Sequence, residues 1–150
     1  MTSKFADETN RVVRLCAEGM ALEGRPAEAR RLFEQAWAAR RDDFDAAVAA
    51  HFLARHQPTL AETLHWNTVA VRHAEQVADG RAAELLASLY LNLGDAQRNV
   101  GDLVGAAASA QRGASNLAAL PPGGYRELIA FGIRRLEARV NGASDDESIA

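Results

Sequence analysis

All four histidines, His51, His56, His65 and His73, fall in one stretch of a 150-residue chain, and imidazole is the side chain most often used to bind metals or move protons near neutral pH. A metal site would need ligands at i and i+4 on one helix, or converging from two helices. No histidine pair here has that spacing, and there is no His-Glu-x-x-His motif. The histidines therefore read as surface or partly buried residues of an arginine-rich hairpin. The alternative is a small-molecule pocket, or an unusual helical active site, built from His51, Arg55, His65, Trp66 and His73. Cys16 is the one cysteine, which excludes an internal disulfide and a structural zinc site. Val12, Val13, Leu15 and Met20 surround it at helical spacing, so it reads as a small buried apolar residue. No Gly-x-Ser-x-Gly turn holds a nucleophile. Gly101 and Gly105 belong to a helix turn and the helix after it, with no strand to make a phosphate-cradling loop. Carboxylates stand near arginines at helical spacing, the pattern of a solvated face. The sequence thus points to a protein that is not an enzyme, with no catalytic residue, metal or cofactor expected.

Composition narrows the setting. With 48% hydrophobic and 25% charged residues, the chain suits one domain with its own core, expected over residues 1–140. Charged residues or histidine interrupt every apolar run before it reaches the roughly 18 residues a membrane span needs, so no membrane partner is expected. The first eight residues, Met1 to Glu8, lack the basic and apolar regions of a secretion signal, so the expected location is the cytoplasm. A net charge of -3 with interleaved signs lacks the basic field that attracts phosphate backbones, and nucleic acid is not an expected partner. Lys4 is the only lysine among 17 basic residues and alanine fills about a fifth of the chain, a bias that suggests a bacterium with GC-rich DNA.

The elements that would position these residues are helices, because apolar residues recur at i, i+3, i+4 and i+7 between turns rich in proline and glycine. The spacing predicts helices at 5–22, 26–40, 43–56, 59–78, 81–99, 103–119 and 124–140. Gly24-Arg25-Pro26 reads as a tight turn in which glycine takes the left-handed conformation and proline opens the next helix. Thr59 with Glu62 has a capping-box pattern, Asp102 caps after Gly101, and Asp79-Gly80 closes the fourth helix. Pro121-Pro122-Gly123-Gly124 separates the last two helices. Residues 141–150 are polar and acidic and are expected to be a disordered tail.

Two helix-turn-helix segments superpose through Gly24 and Gly101. Ala29, Phe33 and Ala36 follow the first glycine; Asn92-Leu93-Gly94 precedes the second, and Ala106 occupies the position of Ala29. This resembles the tetratricopeptide repeat, in a longer-helix bacterial variant, with the best match over Leu91 to Leu103. The middle copy departs from the pattern, with Pro58 in place of the turn glycine and Thr63 in place of a small residue. The resemblance implies an all-α fold: a right-handed stack of about three antiparallel hairpins, ended by a C-terminal capping helix that places Gly132 where a repeat has its small residue. Apolar residues on more than one face of that helix, beyond what a cap needs, would serve a homodimer.

The resemblance also implies a scaffold function, with a peptide or partner protein bound in a concave groove lined by the first helix of each hairpin. Mapped onto this chain, the groove takes Arg14, Glu18, Phe52, Arg55, His56, Asn92, Asp95, Arg98 and Asn99. Its arginines could grip carboxylates bidentately, or pair with Glu18 and Asp95. Trp37 is expected in the core, while Trp66 shares a helix face with His73 and could shape a pocket there.

Overall fold

Asn10 starts the first helix. Its side-chain oxygen accepts from the amides of Val12 and Val13, so α1 runs Arg11–Ala21. The computed structural model describes residues 9–142, so the part of the expected first helix at 5–8 lies outside the described residues. All-α architecture holds throughout: among the described residues there are seven α-helices and no strand. The others are α2 (Pro26–Ala38), α3 (Asp43–Leu53), α4 (Leu60–Glu75), α5 (Ala83–Asn99), α6 (Leu103–Ser115) and α7 (Gly124–Asn141).

Local chemistry accounts for the boundaries. Pro26 is the first residue of α2, as its fixed φ favours. Gly24, however, does not take a left-handed conformation; positive φ occurs at Gly80, Gly101 and Gly123. The first turn closes instead through Leu22, whose carbonyl accepts from the Arg25 amide at 2.7 Å. Because Pro58 forces Gln57 into an extended conformation, α3 ends early and tightens into a 3-10 turn at Ala54–His56. Thr59 Oγ1 accepts from the Glu62 amide at 3.1 Å and Asp102 Oδ1 from the Gly105 amide at 2.9 Å, the caps the sequence announces. α4 stops at Glu75, short of 78, because the chain turns toward Asp79, whose side chain accepts from the Arg81 amide. Asn141 belongs to α7; the rest of the acidic tail, from 143 on, lies outside the described residues.

Packing divides the chain after Ala82 into two compact units. In the N-terminal unit α3 is the central helix, packed against α1, α2 and α4. It is buried on every side from Phe44 to Ala50, and Ala46, Ala47, Ala49 and Ala50 are small enough to admit helices on all faces. Gly19 on α1 makes room for the fully buried ring of Phe33, which a Cβ at Gly19 would strike. Cys16 is 2% exposed, and burial, with the charge of Asp45 nearby, pushes its thiol up to about 12, which makes it an inert core residue.

In the C-terminal unit α5 packs on α6 and α7, and α6 on α7. Ala87, Ala110, Leu120, Ile129, Ile133 and Leu136 form its core, with Leu91, Leu117 and Val140 against it. Gly94 is the close-approach point. A Cβ there would collide with Leu136 and stand 3.3 Å from Ser109 Cβ and 3.4 Å from the Ala106 carbonyl. Gly94→Ala should therefore destabilise the protein by about 2 kcal/mol, overpacking outweighing the gain in helix propensity. Urea unfolding checks this, and an unchanged or raised midpoint would refute it.

Candidate interaction site

In the N-terminal unit two turns meet: the one joining α1 to α2, and the 3-10 turn with Pro58 joining α3 to α4. Between them opens a concavity of about 670 Å³ whose walls include Pro26, Arg30, Arg31, Arg55, His56 and Pro58. Of its wall residues, His56 belongs to an aromatic stack whose other members are buried. Phe33 stacks on Phe52 at 5.3 Å between centroids and on His56 at 5.7 Å.

Glu23, in the first of these turns, reaches the second and holds Arg55 and His56. One of its carboxylate oxygens accepts from Arg55 Nε at 3.0 Å and lies 2.9 Å from His56 Nε2, the nitrogen that must carry the proton to donate to it. Burial pushes the Glu23 carboxyl up, but the bonds from His56 and Arg55 and their charges outweigh it and hold the group below the usual range. Arg30 donates through Nε to Glu34 at 3.1 Å. Arg30 and Arg55 are thus each anchored through Nε, and their terminal amino groups make no hydrogen bond among the described residues. Arg31 is exposed and makes no ion pair among the described residues. Three guanidinium groups and one carboxylate, Glu34, thus stand on the wall, an excess of planar donors suited to carboxylates.

The other expected residues distribute as follows. Of the groove set, Arg55 and His56 line the concavity, Phe52 is buried and stacked on Phe33, and Arg14 and Glu18 are exposed on α1. Asn92, Asp95, Arg98 and Asn99 belong to α5, in the C-terminal unit. Burial raises the Asp95 carboxyl, against the opposing charges of Arg139, Arg98 and Arg135. Of the alternative pocket, only Arg55 is on the concavity wall; His51, His65, Trp66 and His73 are not. His51 packs edge-on to Phe52 at 4.9 Å. His65 is exposed against Trp66, and His73 Nδ1 lies 2.8 Å from Asp43 Oδ1. Trp37 is half-buried rather than fully enclosed, edge-on to Trp66 at 5.0 Å and covered by the Arg40 guanidinium 4.0 Å from its centroid. Among the described residues no group of three or more His, Cys, Asp or Glu is placed to hold a metal ion, and no helix is long and apolar enough to cross a membrane.

Sequence reasoning missed Glu23, Arg30, Arg31 and Pro58 as site residues. The available signal was the Arg30-Arg31 pair, placed just after one turn, together with a second turn at 57–58: hairpins packed side by side bring such turns to the same end. Compared with protein-family models, curated proteins and solved structures, the chain matches none.

Proposed function

We propose that this chain is a non-enzymatic interaction module of the tetratricopeptide kind, working in the cytoplasm, which holds an acidic segment of a partner protein in the concavity of its N-terminal unit. The observation that carries the proposal is the arrangement of Arg30, Arg31 and Arg55 around an open concavity, two of them braced through Nε by Glu34 and Glu23. An arginine so braced has less side-chain freedom to lose on binding, which favours recognition over a freely moving lysine. The N-terminal end of α2 opens onto the same space and adds a favourable field for negative charge. The repeat assignment is supported by the close approach at Gly94 and Ala106, and by α3 packing against both helices of the preceding hairpin as well as its own partner.

Fluorescence polarisation with labelled Asp/Glu-rich peptides, against the same peptides with Asn/Gln, tests the reading. Acidic peptides should bind more tightly and lose affinity with added salt. Arg31→Glu should weaken them by about tenfold or more, the scale of one charge-assisted hydrogen bond, with melting unchanged. Arg31 is the cleaner probe, since Arg55→Glu would also set a second carboxylate beside Glu23. Equal binding of acidic and neutral peptides, or full binding by the Arg31 variant, would refute the site.

A further inference from the structure

α7 has two unlike faces. Its inner face carries Ile129, Ile133 and Leu136 into the core, and Gly132 lets it approach Leu91, 2.7 Å from where a Cβ would stand. At 100° per residue the opposite face gathers Gly124, Glu127, Leu128, Phe131, Arg134, Arg135 and Ala138, all exposed. Leu128 is 63% exposed and Phe131 55%, with Tyr125 beside them at 56%. Large apolar side chains in adjacent turns of one helix face form a patch rather than scattered surface residues.

The charges around this patch identify what fits it. Glu127 precedes Phe131 by one turn, and Arg134 and Arg135 follow it by one. Among the described residues neither Glu127 nor Arg134 makes an ion pair. If two such helices are laid antiparallel with a twofold axis at Phe131, residues equally far before and after 131 come level with each other. Glu127 of each copy then faces Arg134 and Arg135 of the other, Phe131 meets Phe131, and Leu128 covers the aliphatic stems of the arginines. Gly124 meets Ala138, two small residues at the ends of the contact, where the backbones can approach. The face is its own complement, which is what an isologous interface requires.

We infer that α7 forms a twofold homodimer interface centred on Phe131 and sealed by reciprocal Glu127–Arg134/Arg135 pairs.

Sedimentation equilibrium of the full chain at micromolar concentrations is the test. The unmodified protein should be a dimer, and Phe131→Glu a monomer with unaltered helical circular dichroism, since the residue faces solvent in the isolated chain. A pair of charge variants supplies the specific check. Glu127→Arg places three arginines on the face, and Arg134→Glu/Arg135→Glu places three acids. Each variant alone should be monomeric, while an equimolar mixture should dimerise, because every opposed pair is then complementary. A monomeric unmodified chain, a dimer indifferent to Phe131→Glu, or a mixture that stays monomeric would each overturn the assignment; the first would leave the patch to a different protein's helix.

Discussion

Asp45→Ala should lower the unfolding free energy by about 3 kcal/mol. Asp45 is fully buried, yet every lone pair in use has a donor. One oxygen accepts from Asn10 Nδ2 at 2.8 Å; the other accepts from the Arg41 amide at 3.0 Å and from Arg41 Nε at 3.1 Å. Asn10 in turn caps α1, so one carboxylate ties the start of α1 to the start of α3. Alanine would strand the buried Asn10 amide and loosen that cap. Arg41 contributes less to the loss, because its side chain is largely exposed and can rehydrate. Asp45→Asn should not rescue stability, since an amide offers one acceptor oxygen where two are needed and would set a donor against a donor. Urea denaturation followed by circular dichroism reads the effect. Asn10→Ala combined with Asp45→Ala should cost clearly less than the two separate losses added together, because both remove the same bond. A loss below about 1 kcal/mol for Asp45→Ala would show that the tie is not stabilising.

That tie also marks where reading from sequence runs out. Pro26, Thr59 and Asp102 announced their helices because a cap or a fixed φ acts within one turn of chain, and local spacing records it. Asn10 falls inside the helix expected at 5–22, because no Glu or Gln follows it at capping-box spacing to mark it as a cap. Asp45 follows Asp42 and Asp43 as one more acid in the first turn of α3, and its burial depends on a partner at the start of another helix, which no local pattern encodes. The concavity likewise joins residues near 30 to residues near 55, brought together only by packing. Four histidines close in sequence take different partners for the same reason. His56 went to Glu23, His73 to Asp43, His51 to Phe52, and His65 stayed at the surface beside Trp66. Helix content was legible because it is set residue by residue; site membership was not, because it is set by which turns share an end of the packed unit.

His51 should make the protein acid-labile. In the folded chain burial, and secondarily the Arg55 cation, push its imidazole down to about 4, with Glu23 pulling weakly the other way; unfolded, it takes a proton near 6.5. Between those two values the unfolded chain binds a proton that the folded chain does not. Stability from this group is therefore complete above about pH 6.5 and is lost as pH falls toward about 4. The gap corresponds to roughly 3 kcal/mol. His51→Gln keeps a polar group of similar reach but does not titrate, so its stability should change much less between pH 7 and pH 4 than that of the unmodified chain. Urea midpoints measured for both proteins across that range give the comparison, and the proton NMR shift of the His51 ring gives an independent one. The ring signal should stay at its neutral position well below pH 6 and begin to move only near pH 4. A ring that titrates near 6.5, or equal acid sensitivity in the two proteins, would mean that water reaches the imidazole and that its packing against Phe52 leaves it solvated.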